Sequence, residues 1–290
     1  MKRLLILFAF AACLVTGACS LGKLAYSNAA FAYTKVPPAL AWMVGDYVDL
    51  SGDQKDWLRE RVDAALVWHR ARELPQYQHF CEEILAYAAA GSVTPAQVGD
   101  MDRELRDYYN RMLDHVTPDL ADLLLQLDTD QTGQLDRKFA KDNLKMVHDA
   151  EDGTAADRSA SRTKKYLVPI EEFVGDLTDA QNAIVKRYAD GYEELTQYRL
   201  ADRQYRQSET LRMIGAKVSR EEMIAGLHRL FVETRSWRSP EYRRKLAERD
   251  EKLYAMISEL AASLSMQQRA YLQTRVRGYM GDIAGLSASR

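Results

Sequence analysis

The chain has 290 residues, with 40 Lys and Arg against 42 Asp and Glu, a formal charge of −2. That balance supplies neither the basic field that nucleic acid requires nor a strongly acidic tail, so no nucleic-acid partner is expected. At 47% hydrophobic residues the chain is long enough to bury a real core, as one large domain or two small ones.

The N-terminus reads MKRLLILFAFAACLVTGACS. Lys2 and Arg3 form a positive start and Leu4–Val15 an apolar block. The block is shorter than the roughly 20 residues that span a bilayer core as a helix. Small residues follow (Thr16, Gly17, Ala18) and lead into Cys19. Charge, short apolar block and small residues, in that order, describe a secretory signal. A small-residue run ending at cysteine also resembles the bacterial lipobox, which implies a diacylglyceryl group on Cys19 and cleavage before it. Thr16 stands where that pattern usually has an aliphatic residue, and Cys13 is a rival with a shorter apolar block. Ser20 follows the anchor where retention signals carry Asp. By resemblance to Gram-negative lipoproteins, this implies sorting to the periplasmic face of the outer membrane. Removing residues 1–18 takes away Lys2 and Arg3 and no acid, moving the formal charge to −4. Cys81, in YQHFCEEILAY, is then the remaining thiol and reads as a small buried hydrophobe on a helix.

Residues 19–36 are expected to be a lipidated tether. After Pro37-Pro38, helical periodicity takes over, and strand-type alternation does not occur. Val98, Met101, Leu105, Tyr108 and Met112 step by three and four, and Leu272, Val276, Tyr279 and Ile283 repeat the pattern at the far end. Six segments fit the capping box, in which the first side chain caps a new helix and the fourth reaches back. They are SGDQ (51–54), TPAQ (94–97), DTDQ (128–131), TDAQ (178–181), SREE (219–222) and SMQQ (265–268). Thr117-Pro118 and Ser239-Pro240 add two starts with proline at the first helical position. These signals predict an all-α fold of about eight helices, a bundle or an irregular array. Pro75 is expected to kink or divide a long helix. The small, polar DAEDGTAADRSASRTKK (149–165) reads as a loop. It divides the chain into an N-terminal half (37–150), a flexible loop (151–163) and a C-terminal half (164–290).

DTDQTGQLDRKF (128–139) offers Asp128, Asp130, Thr132 and Asp136 at calcium-loop spacing. Phe139 occupies the twelfth position, where a bidentate Glu belongs, so the stretch reads as a helix start and no metal is expected. His69, His79, His115, His148 and His228 are scattered, and none lies in a metal-binding or di-iron pattern. Phosphate loops, nucleophile elbows and paired Cys-x-x-Cys motifs do not occur, so no cofactor is expected and an enzyme is disfavoured. Two groups of polar residues are candidate sites or structural pairs: Asp49, His69, Arg70 and Glu73 near Trp68, and Arg275, Arg277, Tyr279 and Asp282 on the last helix. Trp42, Tyr47, Trp57 and Trp68 either pack the first helical hairpin or present an aromatic surface to a membrane or partner.

WMVGDYVDL (42–50), DWLRERVDAALVWHRARELPQY (56–77) and RAYLQTRVRGYMGDI (269–283) resemble a family of uncharacterised, DUF-type proteobacterial helical lipoproteins. The resemblance implies export and a helical fold, and no activity. LTDAQ (177–181) is also similar to the L-T-x-x-Q motif of a small periplasmic stress-chaperone family. The expectation is a lipid-anchored periplasmic protein that is a non-enzymatic interaction, scaffold or chaperone-like protein with an envelope partner. The alternative is an anionic-ligand binder or hydrolase with a polar Arg/His cavity.

Overall fold

The computed structural model describes residues 29–191 and 194–288, so Cys19 and Ser20 lie outside the described residues. Among the described residues the fold is all-α, with eleven α-helices and no strand. They are α1 (Ala29–Gly45), α2 (Gly52–Arg72), α3 (Leu74–Ala90), α4 (Pro95–Leu125), α5 (Thr129–Glu151), α6 (Ala155–Val174), α7 (Asp179–Asp190), α8 (Thr196–Gly215), α9 (Arg220–Phe231), α10 (Pro240–Ser263) and α11 (Met266–Ala288). None of them is long and apolar enough to cross a membrane.

All six capping boxes form. In each, the amide of the first residue donates to the side chain of the fourth, and the amide of the fourth donates back to the side chain of the first. Ser239 caps α10 through the amide of Tyr242, and Pro75 sits where α2 gives way to α3.

The eleven helices among the described residues exceed the expected eight, and three local expectations are also corrected. Thr117-Pro118 is not a start, because α4 runs through it. The Thr117 hydroxyl donates to Leu113 O at 2.7 Å, and Met112, Leu113, Ala121 and Leu124 are buried on both sides of the proline. That burial outweighs the one backbone bond Pro118 removes. The expected loop at 151–163 is helical from Ala155, because Thr154 and Asp157 form a seventh capping box. The expected tether is helical from Ala29, with Pro37 and Pro38 inside α1.

The chain does not divide into halves. It folds into two compact units of interleaved segments. Unit 1 takes the chain up to Glu73, then Asp107–Asp149 and Thr196–Arg238; unit 2 takes Leu74–Arg106, Ala150–Leu195 and Ser239–Arg290. Each unit is closed by the same device. In unit 1 the glutamines of the first and third boxes, Gln54 and Gln131, donate to one another at 3.2 and 2.7 Å. In unit 2 Gln181 and Gln268 do the same at 2.9 Å in both directions. The second amide hydrogen of each glutamine goes to the carbonyl two residues before the partner box: Gln126, Asp49, Ser263 and Asp176. Each carboxamide thereby uses both donors, and its oxygen accepts from the partner and from its own cap. A glutamate in this position has no donor to offer. Glu222 ends the one box of the six with an acid in fourth place, and it serves its own cap.

A leucine-lined cavity in unit 1

Three apolar clusters meet in unit 1. Val36, Leu40, Met43, Val62, Ala65, Leu66 and Met112 form one, Val48, Leu50 and Leu123 a second. The third gathers Tyr47, Leu124, Leu135 and Phe139 with α8 and α9. Between them lies a half-open cavity of about 180 Å³. Its walls come from α1 (Leu40, Met43), α2 (Trp57, Leu58, Ala65), α4 (Val116, Leu120, Leu124) and α5 (Leu135). The helical periods of α1, α2 and α4 place these apolar residues on inward faces.

Two charged residues line it, Arg61 of α2 and Asp119 of α4. The Nε of Arg61 is buried and has no hydrogen-bond partner among the described residues. Burial raises the Asp119 carboxyl above the usual carboxylate range, and the nearby Arg61 charge opposes that rise. Tyr47 also lines the cavity, but its hydroxyl donates to Asp142 Oδ2 at 2.5 Å.

The structure separates the polar residues singled out from the sequence. Asp49, His69, Arg70 and Glu73 belong to unit 1; Arg275, Arg277, Tyr279 and Asp282 belong to unit 2. Within unit 1, His69 is 1% exposed and burial lowers its pKa to about 3, so it is neutral at physiological pH. Glu73 is 2% exposed and receives both Nε and an η-nitrogen of Arg111 at 3.1 and 2.9 Å. Arg70 is half-buried, and Asp49 is exposed, contributing its backbone amide and carbonyl to Gln134 and Gln131. Trp68 stacks on His115 with ring centroids 3.8 Å apart. In unit 2, Arg275 donates to Glu172 O at 3.2 Å and to the Tyr279 hydroxyl at 2.9 Å, and Tyr279 leans on Phe173. Arg277 is exposed and Asp282 half-buried, so these four residues do not converge on one cavity.

The calcium-like stretch caps and builds α5. Asp128 Oδ1 accepts from the amide of Gln131 at 2.8 Å, the Thr132 hydroxyl donates to Asp128 O, and Asp130 and Asp136 are exposed helix residues. Among the described residues no three His, Cys, Asp or Glu side chains gather closely enough to hold a metal ion. Cys81 is a free, half-buried thiol, its pKa raised by burial. Trp42 is 71% exposed on α1, unlike the other three aromatics of its group.

A buried polar network escaped the sequence reading. Asp202 is 8% exposed, takes Arg238 Nε at 2.5 Å and lies 3.7 Å from Arg206; burial still raises its pKa despite both cations. From the next residue of α8, Arg203 lies 3.5 Å from Asp142, which accepts from Tyr47 and Lys138. These groups tie α8 to α5 and to the end of unit 1. Their spacings in LADRQYRQ, 202 with 206 and 203 with 207, look like ordinary solvated helix pairs until the third partner is known.

The model of a family of unknown function, DUF6279, matches residues 46–243. The chain belongs to that family. No curated protein and no solved structure matches it. The span matched by DUF6279 takes in α2 through α9, hence most of the cavity wall, Arg61 and Asp119, and the first glutamine clasp. It stops short of RAYLQTRVRGYMGDI (269–283) and of Gln268 in the second clasp. The cavity was not visible in the sequence, where its lining reads simply as core.

Proposed function

We propose that this DUF6279 protein is exported, tethered by a lipid on Cys19 to the periplasmic face of the outer membrane, and acts there by holding an apolar group in the unit 1 cavity. It is an interaction protein of scaffold or chaperone-like type, not a catalyst. The observation that carries the reading is the cavity itself. An enclosed void destabilises a protein by about 24 cal/mol per Å³. At 180 Å³ that amounts to about 4 kcal/mol, reduced where the void opens to solvent. Total stabilities are about 5–15 kcal/mol, so a core that leaves this space unfilled gives up a large fraction of what it could have. Occupancy by an apolar group returns that loss as affinity. The rival reading, ligand chemistry at a polar Arg/His cavity, has less to stand on. His69 is packed in the core, Glu73 is engaged by Arg111, and Arg275 braces Glu172 and Tyr279.

The test is titration with the neutral fluorophore N-phenyl-1-naphthylamine, whose six-carbon phenyl ring matches the void while its naphthyl part stays at the half-open mouth. The wild type is expected to give saturable, one-to-one enhancement. Ala65→Leu, which fills the cavity from α2, is expected to abolish it. Absence of saturable binding, or binding indifferent to Ala65→Leu, overturns the reading.

A further inference from the structure

Resting on the cavity reading above, we infer that the occupant is the acyl chain of a single-chain amphiphile with an anionic head, and that Arg61 reads the head. The cavity is half-open, so a ligand can enter tail first and leave a polar end at the mouth. An apolar cavity of about 150 Å³ holds the six carbons of benzene and stays dry. By that measure 180 Å³ takes on the order of seven carbons, the end of one chain and not a two-chain lipid. The wall is otherwise leucine, methionine, valine and aromatic carbon, which offers nothing to orient a polar ligand. The exception is the Arg61–Asp119 side.

Arg61 carries the orienting chemistry. A guanidinium matches carboxylate and phosphate oxygens through paired N–H donors. Its Nε is buried in the cavity wall without a hydrogen-bond partner among the described residues. Asp119 also lines the cavity but makes no hydrogen bond or ion pair with Arg61 among the described residues, so it does not clamp the guanidinium as a tight ion pair would. The tyrosine that shares the wall is held by Asp142 and cannot compete for the head. An anionic head brought against Arg61 offers the guanidinium the acceptor that its Nε lacks, while the tail fills the void.

Calorimetric titration of the full chain with matched alkanoates and alkanols of six to ten carbons tests this. Each added methylene is expected to tighten binding about fourfold, levelling off near seven buried carbons. Arg61→Gln is expected to weaken decanoate about tenfold and decanol less than twofold, with Arg61→Lys restoring part of the difference. Lysophosphatidylglycerol separates the two sources of the anion. Binding that depends on Arg61 extends the site to phosphate heads; failure to bind beside a good alkanoate restricts it to carboxylates. If decanoate and decanol bind equally and Arg61→Gln affects neither, the head-group inference is wrong while the apolar cavity stands. If the naphthylamine probe binds but no alkyl chain does, the acyl inference is wrong. If nothing apolar binds, both readings fall together.

Discussion

Burial decides the state of individual side chains here more than charge pairing does. His69 is neutral because taking an imidazolium out of water costs more than its surroundings return. Its folded pKa of about 3 lies below the unfolded value of 6.5, so the unfolded chain binds the proton first as pH falls. The stability it confers is therefore complete above pH 6.5 and is lost progressively toward pH 3. Between pH 6.5 and 5 the His69 contribution falls by about 1.6 kcal/mol, while Asp119 and Asp202, raised by burial, act in the opposite sense. Urea unfolding of the wild type is expected to show that slope, and His69→Gln to flatten it. His115, also lowered by burial, contributes in the same sense. Glu73 is the other residue at which burial sets the stakes. Arg111→Met leaves its carboxylate buried without those two donors, and breaking a wholly buried pair costs about 3–5 kcal/mol. The Arg111 side chain is 44% exposed, so we expect about 2 kcal/mol in urea unfolding, with Glu73→Gln less costly than Arg111→Met.

At the scale of elements, the glutamine clasp explains four of the five boxes that end in Gln, the fifth, Gln97, serving its own cap. Capping alone accepts Glu or Gln. Joining two helix starts across a unit requires a group that donates and accepts at once. In unit 2 both glutamines are nearly inaccessible, 2% and 9% exposed, so Gln181→Ala strands buried polar groups and is expected to cost about 3 kcal/mol. In unit 1 Gln54 is partly solvated, and Gln131→Ala is expected to cost about 2 kcal/mol. In either pair, the double alanine variant is expected to fall short of additivity by at least about 1 kcal/mol in urea unfolding. Full additivity would mean the paired geometry contributes nothing.

These boxes were legible in the sequence because capping is a transaction within four residues. Their pairing was not, since Gln54 and Gln131, or Gln181 and Gln268, meet only after folding. Thr154-Asp157 escaped notice because Asp replaced the usual Glu or Gln in a small, polar stretch. Thr117-Pro118 misled in the opposite direction, because local start signals cannot report that both flanks are buried. The cavity is hardest to foresee. It consists of space that residues from four helices leave unfilled, whereas periodicity records only that each faces inward.

For the whole molecule, the interleaving of two clasped units means that each is completed only after distant parts of the chain arrive. The proposed lipid on Cys19 would hold this assembly at a membrane by its N-terminus, just ahead of α1, whose Leu40 and Met43 line the cavity. Cys19→Ala is expected to move the protein from the membrane to the soluble fraction; unchanged fractionation would remove the anchor from the proposal. The central claim is that unit 1 keeps an apolar space open for an occupant at the expense of its own stability. The most direct measurement of that is urea unfolding of Ala65→Leu without ligand. Filling roughly 50 Å³ of void at about 24 cal/mol per Å³ predicts a variant more stable than the wild type by about 1 kcal/mol. A variant destabilised by 1 kcal/mol or more would mean the side chain meets packed atoms there, and that unit 1 holds no space for a ligand.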